Sequence, residues 1–107
     1  MSDYSEKQLN EVWEKAKIVN QDSKDEWRKD YAGAWINRKQ YGNHDSTYGW
    51  DVDHAKPQSK NGADNLSNWV PLQWENNLKK SDNYPNFQTE VTSEGNKNIY
   101  KVQNWNY

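Results

Sequence analysis

Asp53 and His54 stand side by side in a stretch, Trp50 to Asp82, that also holds Asp51, Asn65, Asn68, Asn76, Asn77, Lys79 and Lys80. A histidine among carboxylates and carboxamides is a set that acid–base and divalent-metal chemistry draws on, the hydrolysis of a phosphodiester being one of its uses. That reaction needs a nucleophile drawn from water, charge to steady the phosphate, and help for the departing oxygen. A neutral imidazole such as that of His54 takes a proton from water at physiological pH. The carboxylate of Asp53 and the side-chain carbonyl of Asn77 are hard oxygen donors of the kind a divalent cation prefers. Each residue also has a plainer reading. Asp51 lies on the same strand face as Asp53 and competes with it as a ligand. Asn65 and Asn68 are alternative carboxamides around the second strand's start, and Asn76 competes with Asn77 as an oxygen donor. His44, in a polar loop, reads as a solvated histidine or a substrate contact. Asp51-x-Asp53 does not open an EF-hand loop, because Lys56 stands where that loop requires glycine.

The elements that must position these residues follow from local pattern. Tyr48 to His54 alternates as a strand, with Trp50, Val52 and His54 on one side and Asp51 and Asp53 on the other. Pro57 to Asn65 is a turn-rich loop. Asn68 to Leu72 reads as a second short strand, ending at Pro71 or lying at an edge. Gln73 to Lys80 reads as a helix, with Trp74 and Leu78 one turn apart and Lys79 and Lys80 suited to its negative end. Upstream, residues 5 to 19 form an amphipathic helix: Ser5 and Gln8 make a capping box, and Leu9, Val12, Trp13 and Ala16 share a face. Trp27 to Tyr31 reads as a short helix or turn, Ala34 to Ile36 as a brief strand, and Tyr41 to Thr47 as loop. The tail from Gln88 to Gln103 reads as a hairpin around Ser93 to Asn96.

Composition bounds the rest. A chain of 107 residues holds one domain. Trp and Tyr, seven each, are as numerous as Leu, Ile, Val and Phe together, so aromatic rings must build the core. With no cysteine, neither a disulfide nor a thiolate zinc site is available. No apolar run approaches a membrane span and the first ten residues lack a hydrophobic signal core, so a soluble, cytoplasmic protein is the expectation. A net charge of -2 and a pI near 5.6 argue against whole-molecule attraction to nucleic acid. Yet between residues 28 and 80 eight Lys and Arg outnumber six acids, so the acidity sits mainly in the N-terminal region.

The segment WDVDHAKPQSKNGADNLSNWVPLQWENNLKKSD resembles the HNH family of nucleases. The shared features are Asp53-His54, Pro57, Ser59, Gly62, Asn68 and Asn77, followed by Lys79-Lys80-Ser81-Asp82. The His-to-Asn and Asn-to-Asn intervals match the HNH domain of RNA-guided CRISPR nucleases. The resemblance implies an α+β chain: a His-Me finger ββα-metal core over residues 48–82, an N-terminal helix over 5–19 and a hairpin-like tail over 83–107, all one domain. It implies a metal-dependent endonuclease acting on DNA, with His54 as general base. Asp53 and Asn77 would hold one divalent metal, and Asn68 would pin the loop between the strands and so orient His54. Many members carry a third His where Asn77 stands here, which shifts the preference toward Mg²⁺ or Mn²⁺. Many also bind a structural zinc through two Cys-x-x-Cys pairs. Gln73 and Asn76 stand where one pair would be, so no structural zinc is expected, and the packing of Trp50, Trp69 and Trp74 should replace it.

Arg38, Lys56, Lys79 and Lys80 are the expected phosphate contacts. No membrane partner is expected, and a protein partner or a homodimer is left open. Two other functions compete. One is a catalytically silent nucleic-acid-binding module on the same fold, which loss of the base or a ligand would favour. The other is an aromatic-rich glycan binder, which would need several Trp exposed on one face.

Overall fold

The computed structural model describes residues 4–107. Its first element, α1 (Glu6–Trp13), is opened by the expected capping box. Ser5 Oγ accepts from the Gln8 amide at 3.1 Å, and Gln8 Oε1 accepts from the Ser5 amide at 2.9 Å. The helix stops at Trp13 instead of running on to residue 19, and the cause is Arg28. Its guanidinium is buried and donates to the carbonyls of Trp13, Glu14 and Ala16 at 3.2–3.4 Å, and to the Glu14 carboxylate at 3.1 Å. These carbonyls find a side-chain donor in place of the next helical turn. The chain then turns, and Lys17 pairs with Lys29.

Beside this isolated bridge stands a small two-stranded sheet where a helix or turn was expected. Here β1 (Trp27–Lys29) runs antiparallel to β2 (Trp35–Asn37). The central pair is β3 (Trp50–His54) and β4 (Trp69–Gln73), with Asp53 opposite Val70 and His54 opposite Trp69. Pro71 is tolerated within β4 because a two-stranded sheet leaves each strand one free edge. Leu9, Val12, Trp13 and Ala16 of α1 pack with Ile36, Trp50 and Trp69. Trp50 is wholly buried and its Nε1 donates to the Asn37 carbonyl at 2.9 Å, so the most deeply buried of the three core indoles has its polar atom satisfied.

The next element, α2 (Trp74–Lys80), follows β4 without a loop, Gln73 capping it through the Asn76 amide at 3.0 Å. Its buried positions are Asn76 and Lys80, while Leu78 is 62% exposed, so no Trp74–Leu78 stripe anchors it. The side chain of Asn76 instead grips the free edge of β5 (Asn86–Glu94). It accepts from the amides of Glu90 and Val91 at 2.9 and 2.7 Å and donates to the Val91 carbonyl at 2.9 Å. Asp30 completes this polar centre, accepting from the Gln73 amide at 3.0 Å, the Ala34 amide at 2.9 Å and Asn76 Nδ2 at 3.1 Å. Trp50 and Trp69 are buried as expected, but Trp74 is only half-buried. A hydrogen-bonded cluster of Asp30, Gln73 and Asn76 therefore shares the fastening role that aromatic packing was expected to carry alone. The final element, β6 (Lys97–Asn106), pairs with β5 in a hairpin longer than the tail pattern indicated. The architecture is α+β, and no helix among the described residues is long and apolar enough to cross a membrane.

Candidate active site

The end of β3 and the inner flank of α2 enclose an open cleft of about 320 Å³, lined by Val52, Asp53, His54, Pro57, Asn77 and Asp82 among others. Three sequence-derived candidates, Asp53, His54 and Asn77, thus share one cavity. Strand β3 supplies the first two and α2 the third, and the direct β4-to-α2 passage fixes their relative position.

Asp53 is 5% exposed. Its Oδ1 receives Lys80 Nζ at 3.3 Å, whereas its Oδ2 is buried without a hydrogen-bond partner. Burial pushes the Asp53 carboxyl up to about 6, against the opposing pull of the Lys80 ammonium and, less strongly, of His54. An orphaned buried carboxylate oxygen is costly unless some cation or donor meets it. Hard oxygen donors from Asp53 and Asn77 suit a divalent ion of the Mg²⁺ or Mn²⁺ type. Among the described residues there is no cluster of three or more His, Cys, Asp or Glu for a metal, so water and substrate oxygens must fill most of any shell.

His54 is half-buried beside the Trp69 ring, at 6.5 Å between centroids, and its Nε2 lies 2.9 Å from Asp64 Oδ1. That contact holds the Asp64 carboxyl below its ordinary range. A neutral imidazole whose Nε2 faces a carboxylate carries its proton there, leaving Nδ1 as the basic nitrogen. Asp64 also accepts from Trp69 Nε1 at 3.2 Å, so a core ring steadies the carboxylate.

The loop between β3 and β4 is held by Asn68. Its Oδ1 accepts from the Lys56 amide at 2.9 Å, and its Nδ2 donates to the carbonyls of Lys56 and Ala63 at 2.9 and 2.8 Å. Gly62 allows this closure, since a Cβ there would stand 1.7 Å from the Lys56 carbonyl oxygen. The competing residues are engaged elsewhere. Asn65 caps the turn at Ser67, Asn76 is committed to Asp30 and β5, and Asp51 pairs with His44 at 3.0 Å while that imidazole stacks on Trp74.

Of the four expected phosphate contacts, Lys56 and Lys79 are exposed. Lys80 is corrected: it is 1% exposed, between Asp53, the His54 carbonyl at 3.2 Å and the Phe87 ring, and cannot reach a ligand outside. Arg38 is half-withdrawn, bound to Glu6 at 3.1 Å and to Asn10 at 2.9 Å. Sequence reasoning missed Asp64 as the partner of His54 and Lys80 as the partner of Asp53. Neither has a spacing signature, since both contacts depend on how the loop and α2 return to β3.

No curated protein and no solved structure matches the chain. A family model described as HNH endonuclease matches residues 31–86, which include both strands of the central pair, the whole loop between them and α2. The match spans just over half of the 107 residues and contains every residue placed in the cleft, and the chain belongs to the HNH endonuclease family.

Proposed function

We propose that the protein is a metal-dependent endonuclease that hydrolyses DNA phosphodiester bonds at the Asp53–His54–Asn77 cleft, on a ββα-metal core formed by β3, β4 and α2. Family membership supports nuclease activity, because HNH endonucleases act on DNA and generally use a divalent metal. The observation that carries the finer reading is the shared cleft. A histidine with a carboxylate on one ring nitrogen opens into the same cavity as a buried carboxylate with one oxygen unpartnered.

In this reading His54 accepts the proton of the attacking water at Nδ1. Asp64 holds the Nε2 proton and gains a charge-assisted bond as the ring becomes imidazolium. Asn68 keeps the loop that carries Asp64 closed over the end of β3, limiting misplacement, which at 1 Å can cost ~100-fold in rate. Asp53 and Asn77 would hold the divalent ion, whose charge polarises the phosphate and eases departure of the 3′ oxygen. Lys80 ties one carboxylate oxygen of Asp53 to α2, while the other is buried without a partner.

Plasmid DNA incubated with the pure protein should be nicked or linearised in Mg²⁺ or Mn²⁺ and stay intact in excess EDTA. The ends should ligate directly, as 5′ phosphate and 3′ hydroxyl termini do. Undiminished cleavage in EDTA would overturn the metal assignment, and intact plasmid under all metals would overturn the nuclease reading.

A further inference from the structure

A second groove, of about 620 Å³, lies on the other flank of α2, between Lys79 and Asn83 and the outer face of the β5–β6 hairpin. The register places Asn86 directly opposite Asn106 and Gln88 opposite Asn104, so two cross-strand pairs put four carboxamides on one exposed face. Only Gln88 and Asn104 bond to each other, at 2.9 Å. Among the described residues, Asn83, Asn86 and Asn106 make no side-chain hydrogen bond. Each carboxamide has two donor hydrogens and two acceptor lone pairs, so most of this capacity is unspent. Lys79 is the one charged residue of the lining, which includes no carboxylate.

We infer that this face reads base edges of duplex DNA and prefers adenine. The inference rests on the DNA-nuclease reading above and names what that enzyme would select. A two-stranded ribbon fits the major groove, where a carboxamide meets adenine N6 and N7 with one donor and one acceptor, while Lys79 is placed for a phosphate. Asn77 and Ser81 line the cleft and Lys79 and Asn83 the groove, all from α2 and the residues just after it. A duplex held at His54 therefore passes the end of α2 to reach the hairpin. A glycan fits less well, because of the two aromatic residues of this groove Phe87 is buried and Trp105 is spent inward. It stacks on Phe87 at 6.5 Å, meets Tyr31 edge-on and donates to Thr89 Oγ1 at 2.8 Å.

The test is a binding selection from random duplex DNA, using the full chain carrying His54→Ala with Ca²⁺ present. Selected duplexes should be enriched in adenine at one or two fixed positions. Replacing such an adenine should weaken binding about 5- to 150-fold, the range for one bidentate contact. Adding Asn86→Ala with Asn106→Ala, the cross-strand pair whose carboxamides are unspent, should bring that ratio close to one and leave affinity for unselected DNA within about twofold, because phosphate contacts carry the latter. No enrichment, or equal enrichment in the doubly substituted chain, overturns the inference. So does glycan-array binding that the same substitutions abolish. Plasmid cleavage by the unsubstituted protein is scored separately: cleavage without base preference removes only this inference, and base preference without cleavage removes only the nuclease reading.

Discussion

Lys80 Nζ lies 3.3 Å from Asp53 Oδ1, with both side chains buried, and ties the last turn of α2 to the end of β3 directly behind the cleft. Breaking such a pair on one side leaves a buried charge without a partner, at a cost of about 3–5 kcal/mol. Lys80→Met should therefore lower unfolding free energy by about that amount in a denaturant titration. Asp53→Leu combined with Lys80→Met should recover most of it while cleavage stays absent. If Lys80→Met alone were as stable as the native chain, the pair would not hold α2 in place.

His54→Ala should abolish cleavage, a general base being worth ~10²–10⁴ in rate, with little change in folding or DNA affinity. Asp64→Ala should lower kcat about tenfold or more and leave KM near its native value, since Asp64 acts through His54. Asp64→Asn should regain part of the loss, because an amide oxygen still accepts from Nε2. Steady-state kinetics decides the point, and equal kcat in Asp64→Ala would remove Asp64 from the mechanism.

Asp53→Ala and Asn77→Ala should fail in a different way. Each should weaken apparent metal affinity by about tenfold or more, so that part of the lost activity returns as Mg²⁺ or Mn²⁺ is raised. His54→Ala should show no such recovery. A metal titration of activity for the three variants separates ligand from base, and identical metal dependence in all three would sink the division of roles.

Asp30 should make stability fall with pH. Burial, opposed by its hydrogen bonds to Gln73, Asn76 and Ala34, raises its carboxyl from 3.8 to about 6. Between pH 4 and 6 the folded chain keeps a proton that the unfolded chain has released. The group therefore contributes most below about pH 4, and that contribution is lost as pH rises through about 6, worth about 3 kcal/mol at ~1.4 kcal/mol per unit. Denaturant titrations across this range, on the native chain and on Asp30→Asn, isolate the effect. The variant loses acceptors and should be less stable at low pH, with the difference narrowing as pH rises. A constant difference across the range would show that Asp30 does not titrate there.

Lys56 and Lys79, the two expected phosphate contacts left exposed, should carry much of the salt dependence of DNA binding. Replacing each by Ala should reduce the slope of log K against log salt by about 0.9 per lost contact on duplex DNA. Affinity measured at several salt concentrations with Ca²⁺ tests this, and unchanged slopes in the double variant would place the DNA elsewhere.

The sequence by itself determined the α1 start, the strand–loop–strand–helix order around Asp53 and His54, and the C-terminal hairpin. Those features depend on neighbours: a capping box spans three residues, a strand alternates every second one, and a hairpin needs a turn between two β-prone runs. It also marked Asn68 and Gly62, whose hydrogen bonds and close approach to Lys56 stay within one loop. Tertiary contact decided the rest. The end of α1 is set by Arg28 from fifteen residues downstream of Trp13, and that same region becomes β1 because it pairs with β2, Arg28 standing opposite Ile36. The buried face of α2 is polar because Asn76 meets the backbone of β5 and Lys80 meets Asp53, against the apolar stripe that local pattern indicated. Lys80 shows the physical reason most clearly. A lysine in the last turn of a helix reads as a solvated charge, and only a carboxylate brought in from 27 residues away repays its removal from water.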